Sequence, residues 1–425
     1  MNGQTPTGPS DATAGDTGSP PCQYCATPLS ISWIDLGRQP LSNNYGVSQA
    51  AARAAPTYPL HARACPNCWL VQVDRVVPPA EIFSDYAYFS SYSESWLTHC
   101  RDYAVSMIER FDLGPDALAI EIASNDGYLL KQFRDRGIPV LGIDPAANVA
   151  ASAIAQGIPT EVDFFGAALA RGLVARGIRA DHLSAKNVLA HVPDIGDFAD
   201  GVSVLLKPGA AFTVEFPHLL ETMRRMQFDQ IYHEHFTYLS LLAVERIFTD
   251  RAMRVFDVER LSTHGGSLRV FICHDDASHP TTDAVAALLA EEVAAGLNGE
   301  HGYAGYNERV AGIRDDFLGL LADARSQGKT VAGYGAAAKG NTFLNYCEAG
   351  PDTFAFIADR SPAKAGKFMP GSGIAVVTPE AIERTRPDYL VILPWNLSDE
   401  IMRQMEAVRD WGGRFVTAIP DVRVL

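Results

Sequence analysis

The stretch FDQIYHEHFTYLS, Phe228 to Ser240, sets Tyr232, His233, Glu234 and His235 side by side. Histidine titrates near neutrality, so it is the natural base for taking a proton at physiological pH. A carboxylate paired with the ring would orient it and raise its basicity. The spacing is not that of a zinc peptidase, which needs two histidines four apart on one helix face. The run therefore reads as a metal-free acid–base site. His191, in NVLAHVPD, follows a strand-like segment at the sheet edge where ligands gather in α/β folds. Upstream, SDYAYFSSYS at 84–93 offers Tyr86, Tyr88 and Tyr92. These phenols could pack as an aromatic lid or hydrogen-bond a ketone or enolate oxygen.

A second constellation is made of cysteines. CQYC holds Cys22 and Cys25, and CPNC holds Cys65 and Cys68, with 39 residues between the pairs. Two CxxC turns bring four thiolates to one tetrahedral zinc. Such a site has no open position for water or substrate, so the expected ion is structural. The other cysteines, 100, 273 and 347, are scattered and read as reduced core thiols, as in a reducing cytoplasm.

The elements that would carry these residues come in two α/β series. In the first, ALAIEI, IPVLGID, RADHLSA and AFTVEF are short apolar runs separated by helical stretches, which implies a parallel sheet. EIASNDGYLLKQF reads as strand, tight turn and helix. Glu121 ends the strand, and Ala123, Ser124, Asn125 and Gly127 keep the turn small enough for backbone to approach a ligand. Asp144, followed by Pro145, ends the next strand and is placed to accept ribose hydroxyls. Asp163 and Phe164, in VDFFG, follow the third strand and could cap an adenine; Asn187 follows the fourth. These residues suit either a dinucleotide or S-adenosylmethionine. The absence of GxGxxG weakens the dinucleotide option.

The second series is TVAGYG, TFAFIAD, YLVILP and RFVTAI, reached through Ala/Leu/Glu/Arg-rich helices between about 280 and 328. Gly335 lies in the first turn of this series, and Lys339, Gly340 and Asn341 fall at the start of the next helix. A helix N-terminus with a lysine makes an anion site, better suited to a nucleotide diphosphate than to phosphate hydrolysis, because GYGAAAKG is not GxxxxGK[ST]. Asp359, Trp395 and Asn396 follow later strands and could reach the same crevice.

Composition bounds the choices. The 425 residues allow two or three domains, and 47% hydrophobic with 20% charged residues describes a globular chain. A net charge of −15 argues against a broad nucleic-acid face. No apolar run reaches membrane-span length. The first twenty residues are rich in Gly, Pro, Ser, Thr and Asp and lack the basic start and apolar core of a signal peptide. A cytoplasmic protein with no membrane or nucleic-acid partner, a monomer or a small homo-oligomer, is expected.

The motifs CxxC…CxxC, DYAYFSSYS, EIASNDGYLL, NVLAHVPD, FDQIYHEHFTYLS, HGGSLRVF and GYGAAAKGNTFLNY, in that order, span about residues 22 to 400. A chain carrying them resembles the S-adenosylmethionine-dependent C-methyltransferases that act on nucleotide-linked keto-deoxysugars, on the way to branched sugars such as mycarose, tetronitrose or noviose. The resemblance implies an α/β protein in three parts: an N-terminal zinc-binding module, a central class I methyltransferase domain of Rossmann-like fold, and a C-terminal Rossmann-like domain. The sugar nucleotide would lie between the last two. The expected boundaries are a tail at 1–20, the zinc module at 21–75, the methyltransferase domain at 76–280, and the sugar-nucleotide domain with its connecting helices at 281–425.

The same resemblance makes His235 the base, assisted by Glu234, Tyr232, His191 and Tyr86. Tyr88, His233, Gly335, Lys339, Gly340, Asn341, Asp359, Trp395 and Asn396 become substrate contacts. The implied reaction is proton removal next to a ketone, with a tyrosine or His191 hydrogen-bonding the enolate oxygen, and methylation of that carbon. His182 and Lys186 depart from the family pattern, standing where apolar or small residues are expected on the cofactor side. A methyltransferase acting on a non-sugar acceptor, a dinucleotide-dependent oxidoreductase and a zinc-ribbon protein binding nucleic acid remain as other readings.

Overall fold

The computed structural model describes residues 19–74, 77 and 94–425. Three sheets organise them. Strands β1 (Ile31–Pro40), β2 (Thr57–Ala64) and β3 (Val71–Val73) form an antiparallel set behind the first cysteine knuckle. In β1 the residues Ile31, Trp33, Ile34 and Leu36 are buried and their polar neighbours are not, as expected of a sheet with one wet face.

The central unit follows the helix Glu94–Phe111. Its strands are β4 (Ala119–Ile122), β5 (Val140–Ile143), β6 (Thr160–Glu161), β7 (Ala180–Lys186) and β8 (Leu206–Pro217). A two-residue strand β9 (Thr237–Tyr238) comes next, then β10 (Met253–Leu261) and β11 (Ser267–His274). The order is β6-β5-β4-β7-β8-β11-β10. The first five are parallel, and β11 runs antiparallel to both of its neighbours. All four residues of β4 are buried, as the middle of a covered parallel sheet requires. The chain passes from β4 to β5 on one side and returns to β7 on the other, so a ligand crevice opens at the C-terminal end of β4.

The third sheet has the order β14-β13-β12-β15-β16-β17. Its strands are β12 (Val331–Tyr334), β13 (Ile357–Ala358), β14 (Val376–Val377), β15 (Tyr389–Ile392), β16 (Arg414–Thr417) and β17 (Arg423–Val424), and all but the last are parallel. It is doubly wound about β12, with its own switch point there.

The N-terminal module shares its apolar faces with both α/β units. Trp33, Leu36 and Leu60 lie in one cluster with Phe228, Tyr306, Phe343 and Val416. The cysteine knuckles lie in another with Phe198, Leu241 and Phe248. Strand β9, from the middle of the chain, completes the N-terminal sheet by pairing with β3, Val71 opposite Tyr238 and Gln72 opposite Thr237. Among the described residues no helix is long and apolar enough to cross a membrane.

Candidate functional site

The four cysteines meet as their spacing requires. Their sulfur atoms all lie within 4.8 Å of one another. The pairs run across the knuckles, Cys22 to Cys68 at 3.6 Å and Cys25 to Cys65 at 3.5 Å. Thiolates around tetrahedral zinc stand about 3.8 Å apart given Zn–S bonds of about 2.3 Å, whereas a disulfide needs about 2.05 Å. The donor set therefore fits zinc. Each knuckle closes with a left-handed residue after its second cysteine, Ala26 at φ 59° and Trp69 at φ 61°. Gln72 donates its side-chain N–H to Cys22 Sγ at 3.1 Å, holding the charge from outside the ligand shell.

The turn after β4 carries a backbone that its letters conceal. Ala123, Asn125 and Gly127 have φ of 55°, 50° and 79°, three alternate left-handed positions. This is glycine geometry built with a single glycine. Asp144 ties the turn to the end of β5, accepting the Asn125 N–H at 2.8 Å and the Ala146 N–H at 2.9 Å. Among the described residues, the buried Ser124 hydroxyl, both Glu121 carboxyl oxygens, Asp126 Oδ1 and Asn187 Oδ1 have no hydrogen-bond partner. Buried polar atoms are normally paired, so this cluster along the C-terminal ends of β4 and β7 fits a polar ligand. Burial raises the Glu121 pKa well above the carboxylate range, against the pull of Lys186. Asp163 and the 60% exposed Phe164 lie at the open end. Ala123→Gly should stabilise the free protein by about 1 kcal/mol by relieving the left-handed alanine, read as a higher urea midpoint. An unchanged or lower midpoint would show that the turn is not strained.

His182 and Lys186 turn out to belong to an internal network. Register sets Lys186, Glu215 and Arg269 side by side on β7, β8 and β11. Glu215 accepts from Lys186, from Arg269 at 2.7 Å and from His99 at 2.8 Å. Burial opposes its ionisation, but Lys186, His99 and Arg269 outweigh that and hold the carboxylate below its usual range. His182 meets the Tyr103 hydroxyl at 2.8 Å.

The Tyr-His-Glu-His run lies in the loop before β9, pinned to the turn Leu189–His191 by Phe236 N–H to Ala190 C=O at 2.7 Å. His235 donates from Nδ1 to the Gln230 carbonyl at 2.8 Å, so Nε2 carries the lone pair and accepts the Tyr232 hydroxyl at 2.8 Å. His191 donates from Nδ1 to the Glu234 carbonyl at 2.7 Å and packs edge-on against His235, centroids 4.8 Å apart. Burial holds the pKa of His235 well below 6.5 and lowers that of His191 to about 4.

Glu234 does not pair with His235, contrary to expectation. Its carboxyl is turned to the N-terminal module, where Asn43 donates to it at 2.6 Å, and burial raises its pKa to about 7 against that bond. His233 also turns away, donating to the Pro59 carbonyl at 3.2 Å beside Tyr58. Tyr86 and Tyr88 lie outside the described residues.

The C-terminal unit closes the other side. Lys339 Nζ is buried, without a hydrogen-bond partner among the described residues, 4.9 Å from the Trp395 ring centre. Trp395 donates to Asp229 Oδ2 at 2.8 Å. Gly335 and Gly340 serve packing: a Cβ would fall 2.4 Å from Pro394 Cδ and 2.9 Å from Leu393 Cβ respectively. Asn341 is fully buried with both amide atoms unpaired. Asp359 is engaged by Ser361 N–H at 2.8 Å and Lys364 at 3.4 Å, and Asn396 is exposed.

Two residues near the histidines carried no clear sequence signal, and a third, His264, entered only as the start of HGGSLRVF. Asn43 and Tyr45 sit in LSNNYG, which reads as a turn; Tyr45 donates to the Ala336 carbonyl at 2.6 Å. His264, left-handed at φ 54°, accepts from Asn187 at 3.1 Å.

Comparison with known proteins gives three consecutive family matches: "Putative zinc binding domain" at 22–83, "Methyltransferase domain" at 98–255 and "C-methyltransferase C-terminal domain" at 262–420. C-methyltransferase NovU of Streptomyces niveus is 36% identical over 408 residues, 95% of this chain and 96% of its own. A ubiquinone biosynthesis O-methyltransferase of Bradyrhizobium sp. (strain ORS 278) is 30% identical over 161 residues, 32% of this chain and 61% of its own. The crystal structure of an S-adenosylmethionine-dependent methyltransferase from Clostridium acetobutylicum aligns at a TM-score of 0.35 and 10% identity, covering 42% of this chain and 92% of its own, too distant to bear on function.

Proposed function

The chain belongs to the C-methyltransferase family, with S-adenosylmethionine as its cofactor and a zinc-binding N-terminal module, and from that premise we propose that it methylates the carbon beside the ketone of a nucleoside-diphosphate keto-deoxysugar. The cofactor supplies an electrophilic methyl group. Glu121, Ser124, Asn125, Asp144 and Asn187 are the residues placed to hold it.

The observation that carries the reading is the tautomer of His235. With Nδ1–H committed to the Gln230 carbonyl and the ring uncharged, Nε2 is a base enclosed where all three parts of the chain meet. A C–H beside a ketone is acidic because its carbanion is an enolate, and a nitrogen base removes it. In the free protein the Tyr232 hydroxyl donates to that lone pair, so it must turn off Nε2 when the base acts. His191 holds the loop through the Glu234 carbonyl, and being neutral with its Nδ1–H spent there, its Nε2 is an acceptor. It cannot donate to an enolate oxygen as the sequence suggested.

Incubating the protein with methyl-labelled S-adenosylmethionine and a panel of nucleotide keto-sugars tests the substrate. Label in a new C–C bond is the expected result. Label appearing only with non-sugar ketones would move the acceptor class.

Glu234 gives the pH dependence. The Asn43 hydrogen bond favours its ionised form, so Asn43→Ala should raise its pKa further. If ionised Glu234 serves turnover, the acidic limb of kcat/KM lies near pH 7 and moves up by about one unit in Asn43→Ala. A limb that stays in place would remove Glu234 ionisation from the reaction.

A further inference from the structure

Lys339 stands in the first turn of the helix Ala338–Tyr346, after the Gly-Tyr-Gly turn of β12. Its amino group is buried and makes no hydrogen bond among the described residues; burial lowers its pKa, and the nearby Asp229 carboxylate acts against that without a direct ion pair. A buried charge in that condition is costly, and such groups in native proteins ordinarily have a paired ion or a ligand. What it faces is set by Trp395. The indole face receives the ammonium at 4.9 Å, and its N–H bonds Asp229, the neighbour of the Gln230 whose carbonyl orients His235. The far edge of the same ring lies so close to Gly265 that a Cβ there would fall 2.3 Å from Trp395 Cη2; Gly265 follows His264. One tryptophan thus fixes Lys339 against both histidine-bearing loops of the central unit. In keeping with this, the positive charge adds to burial in lowering the pKa of His235 and of His264.

Neither His235 nor His191 offers the substrate a donor: both Nε2 atoms are lone-pair nitrogens, while His264, accepting from Asn187 at Nε2, keeps its proton on Nδ1. The Tyr232 hydroxyl donates to His235 Nε2 in the free protein and turns off it only when that nitrogen takes a proton. Yet removal of a proton beside a ketone puts a negative charge on oxygen, and that charge needs a donor.

Resting on the keto-sugar reading above, we propose that Lys339 is a catalytic residue that stabilises the enolate oxygen, rather than an anchor for the diphosphate. The α-carbon proton passes to His235 Nε2. The C–H electron pair becomes the enolate C=C bond, the carbonyl π pair moves onto oxygen, and the Lys339 ammonium donates an N–H to that oxygen. A single oxyanion matches one enclosed ammonium; a hydrated diphosphate calls for several donors at a more open surface.

The test separates the two roles. Zinc-loaded wild type, Lys339→Met and Lys339→Gln are given S-adenosylhomocysteine and a thymidine-diphosphate 4-keto-6-deoxyhexose in deuterated water. Exchange of the α-proton is followed by NMR, and thymidine diphosphate affinity by calorimetry. The expected result is exchange slowed by about 100-fold at saturating sugar in both variants, with diphosphate affinity within twofold of wild type and no loss of melting temperature. Affinity lowered tenfold or more with exchange at saturation near normal would overturn the proposal and make Lys339 a diphosphate anchor. Wild-type protein that binds the diphosphate but exchanges no α-proton would overturn the enolate role. Failure to bind thymidine, guanosine or cytidine diphosphate at all would instead remove the nucleotide-sugar reading on which the proposal rests.

Discussion

His235→Asn is expected to lower methyl transfer by about a thousandfold while leaving the fold and S-adenosylhomocysteine binding intact. Asparagine keeps an N–H for the Gln230 carbonyl, so the loop retains its tether. What disappears is the lone pair at Nε2. The same argument predicts that base protonation does not set the acidic limb: burial keeps the His235 pKa well below 6.5, so the imidazole stays unprotonated through the physiological range. Near-normal turnover in His235→Asn would take the proton away from this residue, and Tyr232, whose hydroxyl is 2.8 Å away, would become the group to examine.

The other large effect is on folding. Cys22→Ser should abolish zinc binding and destabilise the protein by at least about 5 kcal/mol, because a structural zinc site contributes its binding energy to the folded state. The measurement is metal content together with the denaturation midpoint. Four thiolates close the coordination sphere, so no chemical step is expected to depend directly on the ion. A metal-free variant as stable as wild type that had lost only methyl transfer would refute this and give the zinc a part in the reaction.

The two sites were unequally legible in the sequence. The cysteines were readable because each pair is local and thiolate chemistry fixes its own spacing. The parallel sheet of the central unit followed from alternating apolar runs, but β9 did not: two residues give no periodicity, and only the tertiary fold makes Thr237 and Tyr238 a strand of the N-terminal sheet. The turn after β4 was half hidden, since Ala123 and Asn125 adopt φ values that letters alone assign to glycine. Glu234 shows the limit of adjacency. Neighbours in a loop point in different directions, and the carboxylate beside His235 in sequence faces Asn43, 191 residues away. Lys186 looked like an intrusion on the cofactor side because its partners, Glu215 and Arg269, lie on strands that only the sheet register brings together.

Gln72 joins the two sites. Its side chain touches Cys22 Sγ at 3.1 Å, and its backbone pairs with Thr237, two residues beyond His235. The loop that carries His235 is therefore seated on a strand whose neighbour in the chain's fold is the four-cysteine site. For a newly made chain, zinc binding is then expected to precede the seating of this loop. Yield of working enzyme would then track the metal supply during synthesis. Cys22, Cys65 and Cys68 are nearly inaccessible once folded and Cys25 is partly exposed, so a chelator added to the finished enzyme finds at most one ligand within reach.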